Sequence, residues 1–450
     1  MLKVGLEKFN DKVIIRNNKH CSVLFVIEHL SDVAINEMIF VQPFKLVKKN
    51  KGVGKNMSNT LKIYMLAFIS FLAGTVEFVI SGILDKVADS ANVSVSTAGQ
   101  LITIFSISFA FGSPIIMMAA AKMDRRKLLM LSLLTLALGS VLTATLSGFT
   151  FLIISRVILA LGTGVFLTTA MTVAPKLAAP NRQAGAIATV LAGTSSALIL
   201  GVPIGRVVAS AYDWKVIFWG IGFLSLLGIF AIAKTIPATN ADTPVPLRQQ
   251  LAFLKRPNIA MAFGITFFVF AGYSVLNTFL TPFLSNMLGM SERGISITFF
   301  ALGIVSLIGS KIGGFFTDRF GSKPTLISSV IAQIISLVLL SIILSSTSGS
   351  VVIEVILLML WATSAWIFAT TQNFNLTSLA PEASGIMLSL NTSFIHIGIA
   401  VGAAVGGIVV GSLSMLATSW IGAVSAVIAM LIAAISFRIT RPAKKNVPSK

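Results

Sequence analysis

Apolar runs of about twenty residues recur twelve times between Leu61 and residue 437, and nothing else in the chain narrows its fold so far. A helix must be about that long to cross roughly 30 Å of hydrocarbon. In lipid every backbone N–H and C=O has to be bonded within the protein, so only helices and closed barrels span. The period-two alternation of barrel strands does not recur here. The runs cover 61–84, 97–121, 127–147, 150–172, 184–211, 215–236, 257–281, 293–316, 323–345, 350–373, 384–411 and 415–437. Only 11% of the residues are charged, against about 25% in soluble domains, which excludes a soluble enzyme or binding module. The fold class that follows is an all-α integral membrane protein whose first partner is the lipid bilayer.

The charges that remain are sorted by side. Lys122, Arg125, Arg126 and Lys127 share one face with Lys176, Arg182, the 248–256 stretch, Arg319, Lys323 and residues 438–450. The opposite connections hold Asp85, Lys86, Asp89, Asp213, Lys215, Glu292 and Arg293. By the positive-inside rule the basic side is cytoplasmic, and an even number of spans places both termini there. The net charge of +19 is therefore topological and does not argue for nucleic acid. Cys21 is the single cysteine, so no intrachain disulfide forms. Residues 1–56 are basic and lack a span; they read as a disordered extension, or as sequence upstream of a natural start at Met57. Residues 441–450 read as a basic tail.

The longest internal break, 237–256, is rich in proline and charge. It divides a six-helix unit at 57–236 from a second at 257–440. The units repeat: Ala179-Pro180 then Gly185 recurs as Ala380-Pro381 then Gly385, and Asp124-Arg125-Arg126-Lys127 has its counterpart in 318–323. Such duplication marks secondary transporters, whose site lies between the repeats.

Ionisable residues inside a span are costly, so each is a functional candidate. Glu77 lies deep in the first run with no basic residue within a turn. An apolar setting disfavours the charged carboxylate, which suits a group that takes up and releases a proton. The bland alternative is a glutamate bonded between packed helices. Arg156 opens the fourth run, and position alone also allows a snorkelling arginine. Lys311 sits where it can snorkel or meet Asp318, and Arg206 where it can pair with Asp213. His396 is expected as a satisfied packing residue or a cavity group, and Asn277, Asn373, Asn391, Gln333 and Gln372 as hydrogen bonders lining a cavity. His and acidic residues show no ligand spacing, so no metal is expected, and no Walker motif or catalytic nucleophile pattern occurs.

The stretch 181–218 carries Gly185, Gly193, Gly201 and Gly205 near one helix face, with Pro203 among them. Its Gly193, Gly201-Val202-Pro203-Ile204-Gly205 and Trp214-Lys215-Val216-Ile217-Phe218 resemble motif C and the group following it in the drug:proton antiporter branch of the major facilitator superfamily. Arg156, Gly162 and Gly164 resemble that family's motif B. Gly314, Asp318, Arg319, Gly321 and Lys323 resemble its gating motif A. In the first copy Asp124, Arg125 and Arg126 remain, while Met118 and Lys122 replace the usual glycine and aspartate. The resemblance implies twelve helices in two pseudo-symmetric six-helix bundles, and alternating access driven by the proton gradient with no cofactor. It implies that Glu77 binds protons, cationic substrate or each in turn, that Arg156 assists the coupling, and that the fifth helix is a tight hinge against the opposite half. The implied activity is export of drugs or other lipophilic and cationic compounds by a monomer in the bacterial plasma membrane. A sugar or nucleoside exporter, a proton-coupled uptake symporter and a non-transporting membrane receptor are the alternatives.

Overall fold

Residues 57–179, 182–238, 247–345 and 350–439 are described by the computed structural model. The expectations for residues 1–56 and for the tail at 441–450 lie outside these. Among the described residues, twelve helices are long and apolar enough to span a membrane: α1 (Asn59–Gly82), α2 (Val95–Ala119), α3 (Arg125–Thr145), α4 (Phe149–Leu177), α5 (Gly185–Ala211), α6 (Lys215–Thr235), α7 (Pro257–Asn277), α8 (Glu292–Phe320), α9 (Ser322–Ser345), α10 (Val351–Leu379), α11 (Pro381–Ser412) and α12 (Ala417–Ser436). Each expected run has become one of them. Within the expected linker, Leu247–Ala252 is a short helix followed by a tight turn at Phe253–Lys255.

The starts obey capping chemistry. Ser58, Ser94 and Ser291 each accept a bond from a backbone N–H of the first turn, and Asp124 accepts one from Arg126 N at 2.7 Å. Gly321, at φ +88° and ψ 163°, joins α8 to α9 in a conformation that a side chain strains, which explains this motif A glycine structurally.

Two helices are irregular. α2 contains a π-helical turn at Ser108–Gly112 just before Pro114, and α5 one at Ala197–Gly201 just before Pro203. Proline removes one N–H from the ladder and crowds the preceding turn, which widens in response.

Within the first half α3 packs on α4 and α6, and α1 on α4 and α5; within the second α7 packs on α11 and α12, and α10 on α8 and α9. The halves meet where α2 lies on α11 and α5 on α8. The small-residue stripes close each half internally. Gly193, Gly201 and Gly205 of α5 face Ala67, Thr75 and Val79 of α1, while Gly398, Gly402 and Gly406 of α11 face Phe267, Ala271 and Val275 of α7. Close backbone approach of this kind is how helices hold together without a hydrophobic driving force. Motif B does the same: Gly162 sits against the Ser132 and Leu136 backbone of α3, and Gly164 against Ser113 of α2.

Candidate functional site

A cavity of about 210 Å³ lies between the halves. Its first-half wall carries Glu77, Ser81 and Phe78 from α1, Phe105 and Ser106 from α2, and Arg156 from α4; its second-half wall carries Phe270, Tyr273 and Asn277 from α7 and Trp366 and Asn373 from α10. α1 lies against α5 through Gly74, which meets Thr194 and Ala197, and Glu77, three residues further on, reaches the cavity beside that contact. The residues on α10, at 366, 369 and 373, follow the i, i+3, i+7 spacing of one helix face.

Glu77 and Arg156 line this cavity, and His396 stands just behind its wall. Glu77 Oε1 is 3.9 Å from His396 Nε2 on α11, across the boundary between the halves. The His396 ring stacks on Phe109 at 3.8 Å, and the π-helical turn of α2 supplies that phenylalanine. Arg156 is 2% exposed; its Nη1 donates to Val76 O at 3.0 Å, one residue before Glu77. Its guanidinium carbon lies 5.1 Å from the centre of the Phe218 ring, a cation–π contact. Trp214 meets that ring edge-on, so the Trp214 to Phe218 group seats the arginine.

Behind the second-half wall runs a buried polar chain. Gln372 Nε2 donates to Ala262 O at 2.6 Å and to Thr266 Oγ1 at 3.0 Å, and Thr266 donates to Asn391 Oδ1 at 2.9 Å. Asn391 Nδ2 then donates to Asn373 Oδ1 at 2.8 Å. The expected cavity residues thus separate: Asn277 and Asn373 line the wall, while Asn391, held by this chain, and His396 stand one layer behind it. His396 is not the satisfied packing residue expected, since its Nδ1 has no hydrogen-bond partner among the described residues. Gln372 is likewise fully buried and supports the wall rather than forming it.

At the end of the molecule away from the basic connections, Arg206 is 1% exposed and pairs with Asp85 at 2.5 Å and, across the halves, with Glu292 at 2.7 Å. Lys86 meets Glu292 at 3.2 Å. The expected partner Asp213 instead accepts from Lys215 N at the start of α6. Thr281 donates to Ser81 O at 2.6 Å and Ser96 to Gly407 O at 2.5 Å, so this end is tied across the halves by both neutral and ionic bonds.

A model of the Major Facilitator Superfamily matches residues 66–386 and, a second time, 262–450. The chain belongs to that superfamily. It is 44% identical over 381 residues to the uncharacterised MFS-type transporter YbcL of Bacillus subtilis (strain 168), covering 85% of this chain and 97% of that one. Its fold resembles crystal structures of a bacterial homologue of the human lysosomal transporter Spinster, inward-facing and either occupied or unoccupied. Both give a TM-score of 0.68 at 17% identity, covering 86% and 87% of this chain and 98% and 100% of the other chain. The protein is a transporter of the alternating-access kind and not an enzyme.

The superfamily motifs can now be placed. The fifth helix meets the opposite half as expected, but not through the glycines of motif C, which are consumed by α1 of their own half. Contact with the second half falls to the neighbouring face of the same π-helical turn. There Ile199 lies against Gly303 of α8, and the adjacent Val202 enters the second-half core beside Leu276 and Leu280. The reason is angular. The residues that let α5 reach α1 recur near one face, so another face is left for α8. In motif A, Arg126 donates to Ala233 O of α6, Arg125 is buried, and Asp124 is spent as a cap. Asp318 and Arg319 are exposed, and among the described residues neither has an ion-pair partner in this conformation. Arg319 instead lies over Phe320 at 5.7 Å. Gly314 has open space around it.

Proposed function

We propose that this transporter exports lipophilic cationic small molecules in exchange for protons, with Glu77 as the group for which the two compete. One observation carries the reading: Glu77 is the sole carboxylate among the cavity-lining residues, and the side chains around it are largely aromatic and aliphatic. A carboxylate removed from water is tolerated when a proton or a cation neutralises it. Aromatic faces, here including Phe105, Phe270, Tyr273 and Trp366, attract an organic cation and bury its apolar body. Exclusive occupancy by one or the other gives exchange. Arg156 shares the cavity wall with Glu77 and holds the backbone one residue before it, and His396 reaches the same carboxylate from the other half.

Units 57–236 and 257–440, joined by 237–256, would be the bodies that rock about the cavity. The basic side is assigned to the cytoplasm, which places the Arg206 cluster outside, both termini inside, and the protein in the bacterial inner membrane. The cavity draws on one chain alone, so a monomer suffices, and the proton gradient replaces any cofactor.

The test is proton release from detergent-purified protein on adding tetraphenylphosphonium, in wild type and Glu77→Gln. Release in wild type that vanishes in the variant is the expected result. Binding of the cation without release, or release unaltered by the substitution, would remove proton exchange at Glu77 from the reading.

A further inference from the structure

We infer that the second-half wall confronts the substrate with a fixed hydrogen-bond donor, the side-chain amide of Asn373, so that the transported compound carries an acceptor facing it. The inference rests on the cationic-substrate reading above and names a further feature of that substrate.

The direction of the buried polar chain is set at its deep end. Ala262 O is a backbone carbonyl and can only accept, so the Gln372 atom 2.6 Å away is the amide nitrogen. Its second hydrogen goes to Thr266 Oγ1 at 3.0 Å, leaving Thr266 to donate its own. That hydrogen goes to Asn391 Oδ1 at 2.9 Å in preference to Ala262 O at 3.3 Å. The Asn391 oxygen is thereby turned towards Thr266 and its nitrogen towards Asn373, at 2.8 Å from Asn373 Oδ1. The Gln372 oxygen is occupied as well, accepting from Asn375 Nδ2 at 3.2 Å. Reversing the Asn373 amide would set two NH2 groups against each other, and an unmade bond in a buried chain costs more than a made one contributes.

Asn373 therefore spends its oxygen on the protein and keeps its NH2 for the cavity, where it is exposed beside Trp366. Glu77 stands on the opposite half's wall. A compound that fills the cavity needs a cationic centre for Glu77 and, towards α10, an acceptor such as a carbonyl, an ether oxygen or a ring nitrogen. Without the acceptor the donor is left unpaired on binding, which is how a polar group in an apolar pocket discriminates between otherwise similar ligands.

Two matched probes test this by calorimetry on the purified full chain: benzoylbutyl-trimethylammonium, which carries one ketone, and phenylpentyl-trimethylammonium, which has CH2 in its place. The ketone is expected to bind about five- to tenfold tighter, the worth of one hydrogen bond. In Asn373→Leu the ratio of the two affinities falls to within about twofold. In Asn391→Leu, which frees the Asn373 amide to turn over, the ratio also falls. A positioning role for Asn391 predicts that loss, whereas a packing role would leave the ratio intact. Equal affinities in wild type, with both compounds lost in Glu77→Gln, would overturn the inference and leave the cationic reading standing. A preference that survives Asn373→Leu also overturns it. Failure of both compounds to bind wild type would overturn the cationic reading and this inference together.

Discussion

Replacing Gly193 by alanine adds one methyl group at the tightest point of the α1–α5 seam. A Cβ built there would lie 2.8 Å from the Ala67 carbonyl carbon and 3.0 Å from Ala67 Cα, and closer still to Ala67 O. All three are backbone atoms, which no rotamer change can move aside. Restoring an ordinary carbon–oxygen contact requires the two helices to part by about 1 Å, and interiors packed to crystal density resist such a shift. Overpacking of this kind costs about 1–3 kcal/mol. Against it stands the better helix propensity of alanine, about 0.8–1 kcal/mol in water. The steric term wins. Gly185, at the start of the same helix, supplies the control, because nothing lies within 4 Å of its added Cβ. Gly185→Ala is therefore expected to be neutral or slightly stabilising. Unfolding by a titration of SDS against a mild detergent measures both variants beside wild type, with transport of tetraphenylphosphonium recorded in parallel. Gly193→Ala should unfold earlier and transport less. If it matched Gly185→Ala in both assays, the seam would not be rigid and the account of motif C as an intra-half lock would fail.

Substitutions at three further positions extend these tests. Gly201 meets the Thr75 side chain, which can rotate, so Gly201→Ala should be milder than Gly193→Ala and Gly201→Leu should abolish transport while the protein still inserts; combining Gly201→Ala with Thr75→Ala should restore wild-type unfolding. Glu292→Gln removes the carboxylate that Arg206 and Lys86 share across the halves. Because Glu292 is half-exposed, the loss is set at about 1–2 kcal/mol, a five- to thirtyfold change in the population with that end open. Spin labels at Asn92 and Arg293 should show a second, longer distance, and an unchanged distribution would discount the cluster as a latch. Gly321→Ala places a side chain at φ +88°, at a cost of about 1–3 kcal/mol, and should lower the yield of monodisperse protein without altering cation affinity.

How much of this was legible in the chain depended on whether the signal was local. The twelve spans were, because length and hydrophobicity alone decide whether a segment enters lipid. Glu77 was, since a carboxylate in an apolar run is conspicuous by composition. The partners of Arg206 were not. Asp213 is near in sequence, but Asp85 and Glu292 are brought there by the packing of α1 and α8, and a charge in a short connection carries no mark of what it will meet. Asn373 and Asn391 looked alike in the sequence, eighteen residues apart on different helices, yet one lines the cavity and the other holds it. Only the direction of the hydrogen-bond chain, which starts at a backbone carbonyl on a third helix, separates their roles. The glycine stripe was read as a close-packing face, but the helix it meets was not legible, because periodicity tells which residues share a face and is silent on what lies opposite.

The two halves divide the labour unequally, and the division bears on how such a machine can move. Both π-helical turns belong to first-half helices, α2 and α5, and both touch the second half: Phe109 through His396, Ala110 O through Ser393, and Ile199 through Gly303. Their partners α11 and α8 show no such turn and are locked to α7 and α10 by close glycine contacts. Glu77 and Arg156 stand on the irregular side, the amides Asn277 and Asn373 on the regular one. A widened turn has already given up part of its bonding ladder, so bending there breaks fewer bonds than bending elsewhere in the same helix. Rocking can then be absorbed at two turns beside the ionisable groups, while the neutral amides that set the donor pattern move as one stiff wall. A change at the cavity would accordingly be felt first where the backbone is easiest to bend, while Asn373 stays tied to Asn391 on the stiffer side.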